Sequence, residues 1–316
     1  MPVYHGAMPE IGVVLVKAAF TSVNPLDYKA AEAPIMGARV FKGVPCLDFA
    51  GTVVALSNGA SKDKSKGKDS RINASDRVFG QTQPMNFGAC AEYIVVSEDL
   101  CMPMPDDRVS LTAYQSVVPF IQSKQPSSRT GVFINGGSGG LGTFAIQFAK
   151  SLGYHVTTAC SAANADLCWS IGADEIIDYK SQNILEALKA SEQSYDIVVD
   201  YIFADSRLYW ASHEFPSSDG VYVKLVGGLS FPFIKDLLTI KLWPTFLNGN
   251  TKRRFQLVGR VTSAKDYDQI ATWISKGFVK PVMEQVYEIE EVRAAFARIK
   301  SGRTRGKLVI RIAPRS

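Results

Sequence analysis

The stretch Gly131–Gly153, GVFINGGSGGLGTFAIQFAKSLG, decides the fold of this chain. A short apolar run, Val132 to Ile134, comes just before a cluster of glycines, and after the cluster apolar residues recur at helical spacing. This order predicts a strand, a tight turn and a helix with one apolar face.

The turn contains Gly137, Gly139 and Gly142, which match the pattern G-x-G-x-x-G. In this pattern the first glycine permits the sharp turn, the second lets the backbone approach a pyrophosphate, and the third lets the helix pack on the strand. The helix N-terminus adds N–H groups and a positive dipole for phosphates. Because a strand precedes the turn and a helix follows it, we predict a dinucleotide-binding site rather than a merely structural turn.

The residues after the second predicted strand, His155–Cys160, indicate which dinucleotide binds. An NAD-selective site places Asp or Glu about 20 residues after the turn, on the ribose 2′-hydroxyl. Here the chain reads Ser161-Ala162-Ala163-Asn164. Since the Ser161 hydroxyl and the Asn164 amide do not repel a 2′-phosphate, NADPH is expected rather than NADH. The alternative is that both residues only cap the next helix, and no Arg or Lys stands beside them.

Two kinds of domain are indicated by the rest of the chain. Short strands and turns from residue 11 onward predict a β-rich, partly barrel-like domain. Helices and strands alternate after the glycine turn, which predicts an α/β domain with a doubly wound parallel sheet. The predicted elements are helices near 165–171 and 184–190 and strands over 175–178, 196–200, 220–228 and 255–259. Further helices are expected over 266–276 and 290–300, and strands over 286–289 and 306–312.

Composition is that of an ordinary two-domain protein. The chain has 316 residues, a net charge of +5 and a pI near 8.8, and its length suits two domains. Part of the positive charge lies in the run Lys62–Lys68, which no aromatic residue interrupts. This favours a solvated loop, and no nucleic-acid partner is expected.

The cysteines and the apolar stretches indicate a cytoplasmic protein. Five cysteines are present without a C-x-x-C pair, so neither a disulfide framework nor a zinc ribbon is indicated. We see no secretory signal at the N-terminus. The most membrane-like stretch, residues 229–247, contains charged residues and prolines, so no integral membrane segment is expected.

Three motifs carry a resemblance to a known family: GGSGGLGTFAIQFAK, SIGADEIIDYKS and SGRTRGKLVIRI. They resemble the zinc-free quinone oxidoreductase and enone reductase branch of the medium-chain dehydrogenase/reductase superfamily, with the closest likeness to fungal alcohol-dehydrogenase-like proteins. The resemblance implies a GroES-like catalytic domain over 1–112 and 255–316 and a Rossmann NADP-binding domain over 113–254. The family's opening hairpin and a helical stretch before Ser110 are missing from this sequence, which leaves open whether the protein still reduces a substrate.

Zinc ligands are absent where zinc-dependent relatives carry them. Those positions hold residues 24–27 and 46–48, and the chain has only three histidines. Because a catalytic zinc needs three converging ligands, no metal is expected. The chemistry implied is hydride transfer from NADPH to a conjugated acceptor, an enone or a quinone, followed by protonation.

The resemblance also implies the residues of the site. Asn24 matches a family position near the nicotinamide and the substrate carbonyl, and its amide is expected to polarise that oxygen, although a buried structural amide is an alternative. Lys29 is the expected proton donor, with a solvated charge as its alternative. The expected cofactor-binding residues are Thr112, Asn135, Gly137, Ser138, Gly139, Gly140, Leu141, Ser161, Asn164, Tyr179, Val226, Gly227, Gly259 and Lys307. Tyr179 has an ordinary surface tyrosine as its alternative.

Two other interpretations remain open for the protein as a whole. One is a cofactor-binding protein with a redox-neutral or scaffold role, and the other is a protein that binds a membrane surface through residues 229–247. The aromatic and aliphatic side chains of that segment predict a hydrophobic small-molecule substrate if they line the substrate pocket. They predict a homodimer if they close a subunit interface.

Overall fold

The computed structural model describes residues 12–32, 43–57, 72–82, 87–104, 111–122, 124–126, 130–191, 193–202, 206–212, 214–225, 238, 240, 254–259 and 263–313. The chain divides into two compact units, the first formed by Met1–Arg108 with Met283–Ser316 and the second by Val109–Val282.

Strands and helices follow one another in an order that separates the two units. The first unit begins with β1 (Val13–Val23), α1 (Pro25–Glu32), β2 (Asp48–Leu56), β3 (Arg77–Gln81), β4 (Tyr93–Ser97) and β5 (Cys101–Pro103). The second contains α2 (Leu111–Ile121), β6 (Thr130–Asn135), α3 (Gly142–Ser151), β7 (His155–Cys160), α4 (Ala165–Ser170), β8 (Glu175–Asp178), α5 (Ile184–Ala190), β9 (Ser194–Asp200), α6 (Arg207–Ala211), β10 (Pro216–Leu225), β11 (Arg254–Val258) and α7 (Ala264–Ser275). The chain returns to the first unit with β12 (Met283–Glu288), α8 (Val292–Lys300) and β13 (Lys307–Arg311).

The first unit is built on a seven-stranded sheet in the order β12-β13-β1-β2-β3-β5, with β4 also paired to β1. β1 is central, and its alternating side chains Val14 and Val16 are fully buried in the core of this unit, as a strand with one face on a core requires. The register pairs Ser22 with Asp48 on one side of β1, and Val23 with Leu308 on the other. Because of this register, Asn24, the residue after β1, lies between the start of β2 and the start of β13.

The second unit is a parallel sheet in the order β11-β10-β9-β6-β7-β8. The middle strands are buried along most of their length, with Val132, Phe133 and Ile134 at 0% exposure, because helices cover both faces of such a sheet. The chain runs outward from β6 to β8 and then returns to β9 on the other side of β6. The carboxyl end of β6 is therefore the point of strand-order reversal where open α/β sheets bind ligands.

Most of the predicted elements are confirmed, but the domain boundary is corrected. The sequence placed residues 255–316 in the first unit, whereas β11 completes the parallel sheet and α7 packs in the second unit. The physical reason is an aromatic contact: the ring of Trp273 in α7 lies 5.8 Å from that of Tyr114 in α2 and 5.6 Å from that of Phe148 in α3. The boundary consequently lies at Met283 rather than at residue 255.

Candidate functional site

The glycine turn between β6 and α3 has the geometry that its sequence pattern predicts. The N–H groups of Gly136 and Gly137 donate to the carbonyl of Ala159 at the end of β7, at 3.1 and 3.2 Å. A Cβ on Gly137 would lie 2.0 Å from Thr158 Oγ1, and a Cβ on Gly142 would lie 2.2 Å from the carbonyl oxygen of Gly136. A side chain at either position would clash with neighbouring protein atoms, so the packing of the turn requires both glycines.

Gly139 differs from the other two glycines of the pattern. A Cβ at this position would meet one protein atom within 4 Å, the carbonyl oxygen of Gly136 at the ordinary contact distance of 3.5 Å. The packing of the described residues does not require a glycine here, whereas the approach of a pyrophosphate to the backbone does. α3 begins next to this space at Gly142. The N–H of Thr143 donates to the Gly139 carbonyl, and the N-cap residue Leu141 makes no side-chain capping bond, so the positive end of the helix faces this space. Gly139, together with Ser138, Gly140 and Leu141 around it, therefore fits a dinucleotide phosphate group.

Ser161 and Asn164 lie at the carboxyl end of β7, next to the glycine turn. Neither side chain makes a capping hydrogen bond, so the alternative that they cap the next helix is not observed. Instead, Asn164 Nδ2 donates to Ser138 Oγ at 3.1 Å. This bond connects the residue expected near a 2′-phosphate with the turn expected to hold the pyrophosphate.

A carboxylate that the sequence analysis did not consider lies at the same edge of the sheet. Asp178 ends β8 and is paired in register with Cys160. The pKa of its carboxyl is lowered, first by the hydrogen bond from the backbone N–H of Lys180 and then by that from Ser181 Oγ. The next residue, Tyr179, is exposed and donates its backbone N–H to the carbonyl of Cys160 at 3.3 Å. A negative charge thus stands one strand away from Ser161.

Asn135 is engaged in a structural hydrogen bond at the point of strand-order reversal. Its Nδ2 donates to Asp200 Oδ1 at 2.8 Å, and Tyr222 Oη donates to Asp200 Oδ2 at 2.8 Å. Asp200 is 2% exposed, and this pair joins β6 to β9. The sequence carried a signal for this pair, since Asn135 and Asp200 are polar residues that end two buried strands.

The other predicted cofactor residues are not connected to the glycine turn by any hydrogen bond described above. Thr112 is half-buried in the first turn of α2, and Gly259 is exposed after β11. Val226 and Gly227 lie outside the described residues. Lys307 belongs to the first unit, where it takes part in the network around Asn24.

Asn24 is held from both sides by the strands that flank β1. Its Nδ2 donates to Asp48 Oδ2 at 2.8 Å, and its Oδ1 accepts from Lys307 Nζ at 2.6 Å. Ser22 Oγ donates to the same Asp48 oxygen at 2.8 Å. These partners fix the orientation of the amide, because the reversed amide would place oxygen against a carboxylate and NH₂ against an ammonium. The side chains of Asp48 and Lys307 were missed as partners because they lie on other strands.

Asp27 holds the backbone of Asn24. Its Oδ2 accepts from the Asn24 N–H at 2.6 Å, and its own N–H donates to the Asn24 carbonyl at 3.0 Å. The carboxylate of Asp27 thus reaches back to the N–H of the residue before the helix, which is one half of a capping box, and the spacing Asn24-Pro25-Leu26-Asp27 was the signal that could have found it. Burial raises the Asp27 pKa to about 7, with the neighbouring Asp48 adding to the rise and the Asn24 N–H and Lys307 opposing it.

Lys29 stands on the last turn of α1 with an exposed side chain. Within the described residues it has no hydrogen bond or ion pair, so its role as proton donor remains a prediction, and the solvated charge fits its exposure.

Two cysteines belong to the core of the first unit: Cys46 lies within it and Cys90 packs against it. A hydrogen bond between their thiols raises the pKa of Cys46 well above its ordinary value and lowers that of Cys90. Across the described ranges, no three His, Cys, Asp or Glu side chains converge as metal ligands would.

Comparison with known proteins supports both units. A family profile described as alcohol dehydrogenase GroES-like domain matches residues 10–106, and one described as zinc-binding dehydrogenase matches residues 171–310. The trans-enoyl reductase pgmF of Aspergillus terreus is 36% identical over 316 residues, which covers 95% of this chain and 86% of that protein.

Solved structures share the fold at lower identity. The quinone oxidoreductase of Coxiella burnetii superposes with a TM-score of 0.76 at 23% identity, covering 98% of this chain and 93% of that one. The quinone oxidoreductase of Escherichia coli, solved in complex with NADPH, gives a TM-score of 0.73 at 17% identity over 98% and 94% of the two chains. Together with the glycine turn and the two sheets, these matches show that the chain belongs to the medium-chain dehydrogenase/reductase superfamily of oxidoreductases, with trans-enoyl reductases and quinone oxidoreductases among its relatives.

Proposed function

We propose that this protein is an NADPH-dependent, zinc-independent reductase of a conjugated acceptor, either an enone C=C bond or a quinone. The observation that carries the proposal is the held amide of Asn24. Its Oδ1 and one of its two amide hydrogens are bound by Lys307 and Asp48, and the second hydrogen is not used by any hydrogen bond among the described residues. A neutral, fixed donor of this kind suits an oxygen on which negative charge develops during the reaction.

The proposed reaction needs no Lewis acid because the acceptor is already conjugated. NADPH, which the glycine turn at Gly137 and Gly139 would hold, would supply the hydride for the β-carbon of the acceptor. The electron pair of the C=C bond moves toward the carbonyl oxygen, where the free N–H of Asn24 stabilises the enolate. A proton then adds to the α-carbon and yields the saturated carbonyl compound. Lys29 or a water molecule delivers that proton in this proposal.

A preference for NADPH over NADH rests on the residues around Ser161. Positions 161–164 contain no carboxylate, and Asn164 is tied to the glycine turn through Ser138. The Asp178 carboxylate at the end of β8 weighs against a 2′-phosphate, but its hydrogen bonds from Lys180 N and Ser181 Oγ spread that charge. Ser161, which follows β7 directly and carries no charge, is the residue we expect nearest to the phosphate.

The substrate is proposed to be a hydrophobic small molecule, on the strength of the apolar side chains in residues 229–247. Apart from Leu238 and Ile240, that segment lies outside the described residues, and a homodimer interface remains the alternative role for it.

None of the helices in the ranges that the structure covers is long and apolar enough to span a bilayer. A cytoplasmic location is proposed from the five cysteines, all of which are free thiols.

A matched pair of substrates tests this function. The purified protein is mixed with NADPH and either a cyclic enone or the corresponding saturated ketone, and NADPH oxidation is followed by absorbance. The proposal predicts turnover with the enone and with simple quinones, and no turnover with the saturated ketone. Turnover of the saturated ketone alone would contradict it, and so would NADPH binding without oxidation by any conjugated acceptor, which would favour a redox-neutral or scaffold role.

A further inference from the structure

Lys307 lies on β13 of the first unit, and its side chain contacts residues of that unit. The register of β1 and β13 pairs Val23 with Leu308, so the residue after β1 faces the residue before Leu308. Lys307 Nζ accordingly donates to Asn24 Oδ1 at 2.6 Å and lies 3.8 Å from Asp48 Oδ2. Its side chain is 19% exposed. The resemblance implied this lysine as a cofactor ligand, and in the structure its ammonium is hydrogen-bonded to the Asn24 amide.

Asp48 contacts Asn24 from β2, the strand on the other side of β1. β2 is paired with β1 so that Asp48 stands across from Ser22, and residues two apart on a strand share a face. Asp48 Oδ2 therefore accepts from both Ser22 Oγ and Asn24 Nδ2, at 2.8 Å each. The amide lies between an ammonium on one neighbouring strand and a carboxylate on the other, and its plane and orientation are set by both.

We propose that Lys307 and Asp48 are positioning residues that hold the Asn24 amide in a single orientation and direct its remaining N–H to the carbonyl oxygen of the acceptor. This inference rests on the proposed function and deepens it. The ammonium of Lys307 also draws electron density from the amide oxygen, which makes the free N–H a stronger donor, since hydrogen bonds in a chain polarise one another. The acceptor must therefore bear an oxygen that gains negative charge in the reaction, as an enone, an enoyl thioester or a quinone does.

The backbone of Asn24 is held as firmly as its side chain. Asp27 accepts from the Asn24 N–H at 2.6 Å, and Pro25 restricts the backbone torsions of the residue before it. A donor that is fixed before the reaction stabilises developing charge without reorganisation. Substitution of either flanking side chain removes a hydrogen bond from the amide but leaves the bond from the Asn24 N–H to Asp27 in place, so the side-chain and backbone effects are separable by mutation.

Steady-state kinetics of single variants test the positioning role. Lys307→Met removes the charge at similar size, Lys307→Arg restores a cationic donor, and Asp48→Asn removes the opposing carboxylate. We expect Lys307→Met and Asp48→Asn to lower kcat for the enone by about 10-fold to 100-fold, somewhat less than the ~100-fold to 1,000-fold loss on removing an oxyanion donor itself. Lys307→Arg recovers part of the loss, and the Kd of NADPH stays unchanged in all three.

A matched control is available on the neighbouring helix. Lys300 is a lysine of the same unit, exposed and paired with Glu32 on α1, and Lys300→Met changes the net charge of the protein by the same amount. It is expected to keep wild-type kcat and KM. Thermal unfolding of each variant shows whether a loss of kcat reflects a loss of fold, and Lys307→Arg serves as the test if Lys307→Met does not fold.

A double-mutant cycle with Asn24→Ala decides whether Lys307 acts through the amide. If it does, Lys307→Met has no further effect on kcat once Asn24 is alanine. The inference is overturned if Lys307→Met costs the same factor in both backgrounds, or if it weakens NADPH binding while kcat at saturation stays intact, which would make Lys307 a cofactor ligand. Failure of the wild-type protein to reduce any conjugated acceptor overturns the proposed function instead, so the two failures are distinguishable.

Discussion

Asn164 Nδ2 lies 3.1 Å from Ser138 Oγ, so the loop after β7 is tied to the glycine turn after β6. In a dinucleotide site the second loop contacts the adenine ribose and the first holds the pyrophosphate. Cofactor selectivity is therefore expected to depend on the side chains around this bond. Among them we choose Ser161, the first residue after β7, for substitution.

Ser161→Asp is expected to reverse the preference for NADPH over NADH. An added carboxylate repels the 2′-phosphate and accepts a hydrogen bond from the 2′-hydroxyl of NADH. The ratio of the two dissociation constants, measured by nucleotide fluorescence, should change by at least about tenfold, or ~1.4 kcal/mol. Ser170→Asp, at the exposed end of α4, is the control and should leave the ratio unchanged. Equal Kd values for NADPH and NADH in the wild-type protein would contradict the assignment.

Gly139→Val is expected to abolish cofactor binding and leave the fold intact. The first atom of the new side chain finds only an ordinary 3.5 Å contact with Gly136 in the protein, but it occupies the space proposed for the pyrophosphate. Circular dichroism and thermal unfolding should match the wild-type protein, while NADPH fluorescence enhancement disappears. Normal NADPH binding by a folded Gly139→Val variant would show that the phosphate site has been placed wrongly.

Gly137→Ala is the matched control for that experiment and is expected to fail differently. Its Cβ would lie 2.0 Å from Thr158 Oγ1 and 3.0 Å from Ile146 Cδ1, so β7 and α3 must shift. Overpacking of this kind costs about 1–3 kcal/mol. Urea unfolding should report the loss directly, and a variant as stable as the wild-type protein would contradict the close packing of this turn.

Asp27→Asn is expected to make stability less dependent on pH. Asp27 ionises near pH 3.8 in the unfolded chain but at about 7 in the folded protein. Between these values the folded protein holds the extra proton, so the contribution of this group to the free energy of unfolding falls as the pH rises, by up to ~1.4 kcal/mol per pH unit. The loss is complete above the folded pKa. Asn keeps an acceptor for the Asn24 N–H and cannot ionise.

The measurement for this prediction is urea unfolding of both proteins across the acid and neutral range. Asp27→Asn should be more stable than the wild-type protein above neutral pH, and the difference should shrink as the pH falls toward the ordinary Asp pKa of 3.8. Glu32→Gln, which also removes a carboxylate but at an exposed position of α1, is the control. A difference between Asp27→Asn and wild type that is the same at every pH would contradict the raised pKa.

The segment 229–247 gives a prediction that rests on sequence alone. If its apolar side chains line the substrate pocket, catalytic efficiency should rise with alkyl length of the enone, at about 0.8 kcal/mol per buried methylene and roughly tenfold for every two. Trp243→Ala would then reduce this gain and leave the oligomeric state unchanged. A flat dependence on chain length, with a shift of Trp243→Ala to a smaller species in sedimentation, would make the segment a subunit interface.

The elements with local signals were predictable from the sequence. The strand, turn and helix around Gly137 and Gly139 follow from periodicity and glycine placement over one short stretch. No helix was predicted over the residues of α2, and Pro119 lies inside it, where a proline is unfavourable. Tertiary contacts override that cost, since Tyr114 packs edge-on against Phe148 of α3, with ring centroids 5.6 Å apart.

What the sequence alone leaves undetermined depends on contacts between distant positions. The partners of Asn24 are 24 and 283 residues away along the chain, and no local pattern pairs them. The boundary at Met283 was missed for the same reason, since the assignment of α7 to the second unit depends on Trp273 packing against rings of α2 and α3. Asn135 is a related case: its residue type was noted, but its bond to Asp200 depends on the pairing of β6 with β9.

The central claim is that hydride is delivered to the β-carbon of a conjugated acceptor while Asn24 stabilises the developing oxyanion. The direct measurement uses NADPH that carries deuterium at the transferable position, with a cyclic enone as the acceptor and mass spectrometry and NMR of the product. The account predicts a saturated ketone with deuterium at the β-carbon, formed at a rate that Asn24→Ala lowers by about 100-fold to 1,000-fold. Deuterium at the carbonyl carbon of an allylic alcohol, or an unchanged rate in Asn24→Ala, would contradict it.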